Sequence, residues 1–143
     1  MIRFSKMADY GVLLLGHFAG KPGDRISSTD LAENFHMPRS VVANLLKAFR
    51  EAGLLTSKRG LHGGYQLARP ASEITLLEVL KVIDGPVHLI DCAVIELDNR
   101  CEYEDVCTTS SPMREVNQRI IDMLASIPLA ELISTVEPIP ADY

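Results

Sequence analysis

The chain has 143 residues, 47% of them hydrophobic and 23% charged, a balance expected of a folded soluble domain rather than a disordered chain. Its net charge of −5 hides an asymmetry: residues 1–70 hold ten Lys/Arg against five Asp/Glu, and residues 71–143 hold four against fourteen. A basic half followed by an acidic half points to a nucleic-acid face and a separate regulatory or assembly part, and no apolar run approaches the ~20 residues of a membrane span.

Met1-Ile2-Arg3 leads directly into mixed sequence, and the apolar run Val12–Leu15 is too short for a secretory signal. Three cysteines, an odd number, argue against a disulfide framework and for a reducing compartment. The expected location is the cytoplasm, with no membrane contact.

Residues 5–19 predict a helix with Ser5 as N-cap, apolar nearly all round from Val12 to Ala19 and therefore well buried, with Asp9 and His17 as its polar exceptions. Lys21-Pro22-Gly23-Asp24 ends it. A second helix starts at Ser27/Ser28 and turns Leu31, Ala32 and Phe35 inward, until His36-Met37-Pro38 breaks it. Pro38 suits the first turn of a third helix over about Arg39–Ala52, stopped by Gly53. There Val42, Leu45, Leu46 and Phe49 repeat at i, i+3, i+4, i+7 and fix the buried face, leaving Arg39, Ser40, Ala43, Asn44, Lys47 and Arg50 outside. Two short helices, the second with a basic and amide-bearing outer face, fit a helix-turn-helix. Arg39, Ser40, Asn44 and Lys47 are its candidate DNA contacts; a solvated surface helix is the bland alternative.

Leu54–Ser57 and Tyr65–Ala68 read as strands around the basic, glycine-rich loop Lys58-Arg59-Gly60-Leu61-His62-Gly63-Gly64, which suits a hairpin. A hairpin directly after a recognition helix is the wing of a winged helix, so Lys58, Arg59 and His62 join the candidate contacts. A nucleotide-phosphate loop fails on context, because no helix begins directly after Gly64. A further helix starts at Thr75, with Glu78 completing a capping box and Leu76, Val79, Leu80 and Ile83 as its stripe, and Gly85-Pro86 ends it.

Asp91–Thr109 holds all three cysteines, Cys92, Cys101 and Cys107, among carboxylates. Those carboxylates are expected to raise the thiol pKa values and so to disfavour a reactive-thiol switch, whereas a bound metal centre would deprotonate the sulfurs. An iron–sulfur cluster, 2Fe-2S ahead of 4Fe-4S, suits three soft thiolates. Structural zinc is the rival, against which stands the lack of close cysteine spacing. Ser111-Pro112 restarts a helix as N-cap and first residue. Met113, Val116, Ile120, Met123 (or Leu124) and Ile127 then form a seam for a partner helix or for the subunit's own core. No nucleophile–base pair or paired acid/base constellation marks an enzyme.

Residues 56–68, followed by 74–79 and the three clustered cysteines, resemble the winged-helix iron–sulfur regulators, a family that includes IscR, NsrR and the regulators of SUF cluster-assembly operons. The likeness runs from Ser5-Lys6 to about Val136. It implies a homodimer paired through a long helix at about Met113–Ile127, a pseudo-palindromic double-stranded DNA operator, and control, mainly repression, of iron–sulfur assembly genes. Two departures stand out. The Cys92–Cys101 gap is wider than in the IscR branch, and Ser110 stands where that branch has a histidine ligand. Asp9 matches an aspartate ligand that the NsrR branch takes from the other subunit; Glu102, Glu104, His36 and His88 are further candidates. Nitric oxide or redox sensing stays open, as does a cluster carrier.

The fold expected is mainly α with a small β-hairpin: a winged helix-turn-helix over 1–85, a cluster-binding loop over 86–111, a dimerisation helix region over 112–136 and a tail over 137–143.

Overall fold

The computed structural model describes residues 4–90, 93, 101–103 and 105–133. Helix α1 spans Lys6–Ala19. Ser5 caps it by accepting from the Ala8 amide at 3.0 Å, and the same hydroxyl donates to Asp84 Oδ1 at 2.5 Å. One side chain therefore starts α1 and ties it to the end of α4 (Leu76–Asp84). Ala8, Gly11, Leu14, Leu15, Phe18 and Ala19 are buried, but Leu13 is 47% exposed. The all-round burial expected of α1 is thus not met. Its partners α4, the second strand and the C-terminal turn cover its inner face and leave Leu13 outside.

Helix α2 (Ser28–Asn34) is capped by Ser27 and packs on α3 (Arg39–Glu51). The chain reverses at His36, which takes a left-handed φ of 52°, and Met37 closes the turn by donating to Ala32 O at 2.9 Å. Pro38 stands at the N-cap of α3 and not inside its first turn, because its ψ of 131° is extended. The predicted stripe of Val42, Leu45, Leu46 and Phe49 is buried in full. Each of these large side chains contributes about 1.5–3 kcal/mol by leaving water.

Strands β1 (Leu55–Lys58) and β2 (Gly64–Leu67) form the antiparallel wing, with Leu55 opposite Leu67 and Lys58 opposite Gly64. Each differs by one residue from its predicted position: Leu54 is spent on the turn out of α3, where its amide donates to Phe49 O. The wing is fastened at its base, since Ile26 and Tyr65 exchange two backbone hydrogen bonds of 2.9 Å. Helix α4 carries the predicted capping box, Thr75 with Glu78, and Glu78 also pairs with Arg69 from the wing's exit. Its buried residues are Leu77, Val79 and Leu80, so Leu76 and Ile83 take only half-covered places.

Helix α5 spans Ser110–Ser126 with Thr109 at its cap, starting just before the Ser111 expected to cap it. After α5 the chain returns to the first core. Thr75 bridges to Pro128, Leu129 donates to Ile74 O, and Leu129 is fully buried. Two apolar clusters result. One unites α1, α2, α3, the wing and Leu129; the other joins Ala8, Leu77, Leu80 and Leu124, where α1, α4 and α5 meet.

Candidate nucleic-acid interface and cysteine loop

Burying Val42, Leu45, Leu46 and Phe49 forces the opposite face of α3 outward, and Arg39, Ser40, Asn44 and Lys47 are all exposed there. Lys58 ends β1, and Arg59 and His62 sit in the turn that follows; all three are exposed, with Leu61 beside them 97% exposed. Helix and wing share a cleft of about 320 Å³ lined by Ser27, Ser28, Arg50, Ser57, Lys58, Arg59, Gly64 and Tyr65. Arg50 was not among the candidate contacts read from the sequence. Its step of three residues from Lys47 placed it on the same helical face and was the available signal.

Not every exposed cation here is uncommitted. Arg39 Nη2 lies 3.0 Å from Glu33 Oε1 on α2, and Lys47 lies 3.9 Å from Glu51. Both pairs are solvent-exposed, where such contacts contribute ~0–1 kcal/mol and yield readily to a phosphate. The wing's reach depends on glycine. Gly64 has φ 134°, and a Cβ there would lie 2.8 Å from Ile26 O. Gly63 likewise approaches the Arg59–Gly60 backbone too closely for a side chain.

In the acidic half, Cys101 and Cys107 are free, half-buried thiols. Cys92 and Glu104 lie outside the described residues, and the described residues alone assemble no group of three or more metal-ligating side chains. The Thr109 hydroxyl is 3.4 Å from Cys107 Sγ. That hydroxyl, with backbone donors at Thr109 and Ser110, outweighs desolvation and holds the Cys107 thiol below its ordinary value. The carboxylate-raised thiol expected from the sequence is therefore not found at Cys107, because donors at the start of α5 decide the balance. Thiolates are the usual ligands of an iron–sulfur cluster, and Cys101 and Cys107 are the two that the described residues supply. Ser110, at the position of the missing histidine, donates to Cys107 O at 3.4 Å. Asp9, Glu102, His36 and His88 are all exposed, and Asp9 lies in the first turn of α1.

The family model for Rrf2, an iron-dependent transcriptional regulator, matches residues 4–135. The chain belongs to the Rrf2 family. Among curated relatives it is similar to the HTH-type transcriptional regulator IscR of Photorhabdus laumondii, with 35% identity over 108 residues, 76% of this chain and 64% of the relative. The match thus spans just under two thirds of that relative's length. Among solved structures, the Rrf2 fold found here resembles CymR, the global cysteine regulator of B. subtilis, at a TM-score of 0.74 and 25% identity over 96% of this chain and all of that one. T. potens IscR aligns at a TM-score of 0.69 and 26% identity, covering 92% of this chain and 86% of that one. The winged-helix class read from the sequence is the fold of this Rrf2 chain.

Proposed function

We propose that this Rrf2 protein is a homodimeric, DNA-binding transcription regulator controlled by an iron–sulfur cluster. The observation that carries the reading is the exposed basic side chains of α3 and the wing, which share the cleft lined by Arg50, Lys58 and Arg59. Arg39, Ser40, Asn44 and Lys47 would meet base edges and phosphates of the major groove, and Lys58, Arg59 and His62 the flanking backbone or minor groove. Two copies paired through the α5 region would read a pseudo-palindromic operator with half-sites about one or two turns apart, ~10–10.5 base pairs each.

Cys92, Cys101 and Cys107 would hold the cluster, with a fourth ligand outside the loop's cysteines and Asp9 of the second copy as its first candidate. When bound, the cluster supplies a centre whose presence or oxidation state differs between conditions. The chain's contribution is to favour one arrangement of loop and helices with the cluster and another without it; an equal preference would transmit nothing. Repression of iron–sulfur assembly genes is the proposed output, and the proposed division is DNA-binding 1–85, cluster loop 86–111 and dimerisation region 112–136.

A cluster-free thiol sensor is the second reading, favoured by the free, half-exposed Cys101 and Cys107 and by the likeness to a cysteine regulator. Anaerobic purification separates the two. The cluster reading expects a coloured protein whose visible absorption is lost in Cys107→Ala. A colourless protein with full DNA binding, or one rich in zinc, contradicts it.

A further inference from the structure

Helix α5 turns one face inward. Leu124 is buried in the second cluster, where Ile120 and Ile121 also pack. Seven residues before Leu124, and so on the same face, stands Asn117, only 6% exposed. An amide in this position is costly unless it is hydrogen-bonded. Asn117 Oδ1 accepts from the backbone amide of Leu89 at 2.8 Å, across 28 residues of chain. Leu89 lies on the irregular segment that leaves α4 at Gly85, next to Val87, which packs in the same cluster. Ala93 donates to Ile90 O at 3.1 Å, and in sequence Cys92 lies three residues beyond Leu89.

The other end of the cysteine segment is also attached to α5, where Ser110 reaches Cys107 O and Thr109 reaches Cys107 Sγ. Asn117 stands seven residues further along the helix, about 10 Å at 1.5 Å per residue. Entrance and exit of the loop thus stand on one helix, two turns apart.

We propose that Asn117 is a positioning residue whose side-chain oxygen fastens the entrance of the cysteine loop to α5, setting the distance between that entrance at Leu89 and the exit at Cys107. The inference rests on the reading of Cys92, Cys101 and Cys107 as cluster ligands. Any tilt of α5 against α4 then moves both loop ends together, and any spreading of the loop pulls on α5 through Leu89. A bare apolar residue at 117 would pack the helix as well and leave the Leu89 amide unpaired.

Asn117→Leu keeps the volume and removes the acceptor, whereas Asn117→Asp keeps the acceptor. Two readouts apply to each: amide hydrogen exchange over residues 87–93 in the cluster-free protein, and the rate at which an iron chelator bleaches the visible absorption of the loaded protein. For Asn117→Leu, exchange at Leu89 is expected to rise about tenfold for one lost hydrogen bond. Bleaching should accelerate by about tenfold, as for loss of a group that orients ligands. The thermal midpoint of the cluster-free protein should fall by no more than the few degrees one lost hydrogen bond explains, and Asn117→Asp should track the parent in both readouts. Unchanged exchange and bleaching in Asn117→Leu overturn the proposal, as does equal acceleration in both variants. If the parent chain never acquires visible absorption, the cluster reading fails by itself. Exchange at Leu89 then decides alone: faster in Asn117→Leu supports the attachment, and unchanged exchange overturns it.

Discussion

Gly64 shows how much of the wing depends on one residue. Its φ of 134° is open to glycine and strained for any side chain, and an added Cβ would meet Ile26 O at 2.8 Å. The obstacle is backbone, so it cannot swing aside. Gly64→Ala is therefore expected to destabilise the fold by about 1–3 kcal/mol, read as a shifted midpoint in urea unfolding. His17 makes a different residue-scale statement. It stacks edge-on against Phe35 at 5.1 Å, and its buried Nε2 has no hydrogen-bond partner among the described residues. Burial, and secondarily the charge of Lys21, lowers its pKa below the ordinary 6.5. The unfolded chain therefore takes up a proton before the folded one does as the pH falls. This contribution to stability is complete above pH 6.5 and disappears as the pH drops through the lower folded value. In His17→Phe that part of the acid-side loss should vanish from the stability–pH curve; an unaltered curve would show that His17 is not its source.

At the scale of elements, local chemistry and tertiary contacts reinforce each other. Thr75 and Glu78 close the start of α4, and Glu78 also holds Arg69 at the exit of the wing. Burial alone would raise the Glu78 pKa, but the Thr75 amide, the Arg69 side chain and the Thr75 hydroxyl together bring it below its ordinary value. Thr75→Ala removes one cap bond and should cost about 1 kcal/mol, measured by chemical denaturation. These caps were legible in the sequence, as were the buried stripe of α3 and the hairpin, because each rests on short-range spacing. Less legible were features made by distant partners. Leu13 reads as apolar core on α1, yet it is half exposed because no described element covers it. Leu129 lies beyond the end of α5 and still reaches the first cluster, because its amide donates to Ile74 O and Leu76 donates to Ile127 O just before it. Asn117 reads as an ordinary helix polar residue until its bond to Leu89 is seen. The proposed site was legible as residue types on faces. The pairing of Arg39 with Glu33 and the lowered thiol of Cys107 depend on neighbours that periodicity does not specify.

Across the whole molecule, charge and connectivity run in the same direction. The basic half presents α3 and the wing, and the acidic half contains the cysteine segment and α5. Between them, α4 touches α1, α3 and α5, so in the proposed reading it is one element through which a change in the loop would reach the basic surface. Removing one phosphate contact at the wing, in Arg59→Ala, should weaken binding across all sequences alike and reduce the salt slope of log K by about 0.9. An unchanged slope would exclude Arg59 from the interface. The central claim, that occupancy of the cysteine loop governs DNA binding, is tested most directly by anaerobic titration of one operator duplex, obtained by genomic selection, with loaded and stripped protein at fixed salt. The account predicts affinities that differ by about tenfold or more, a coupling of ordinary size for two linked sites. Equal affinities for the same operator in the two states would contradict it.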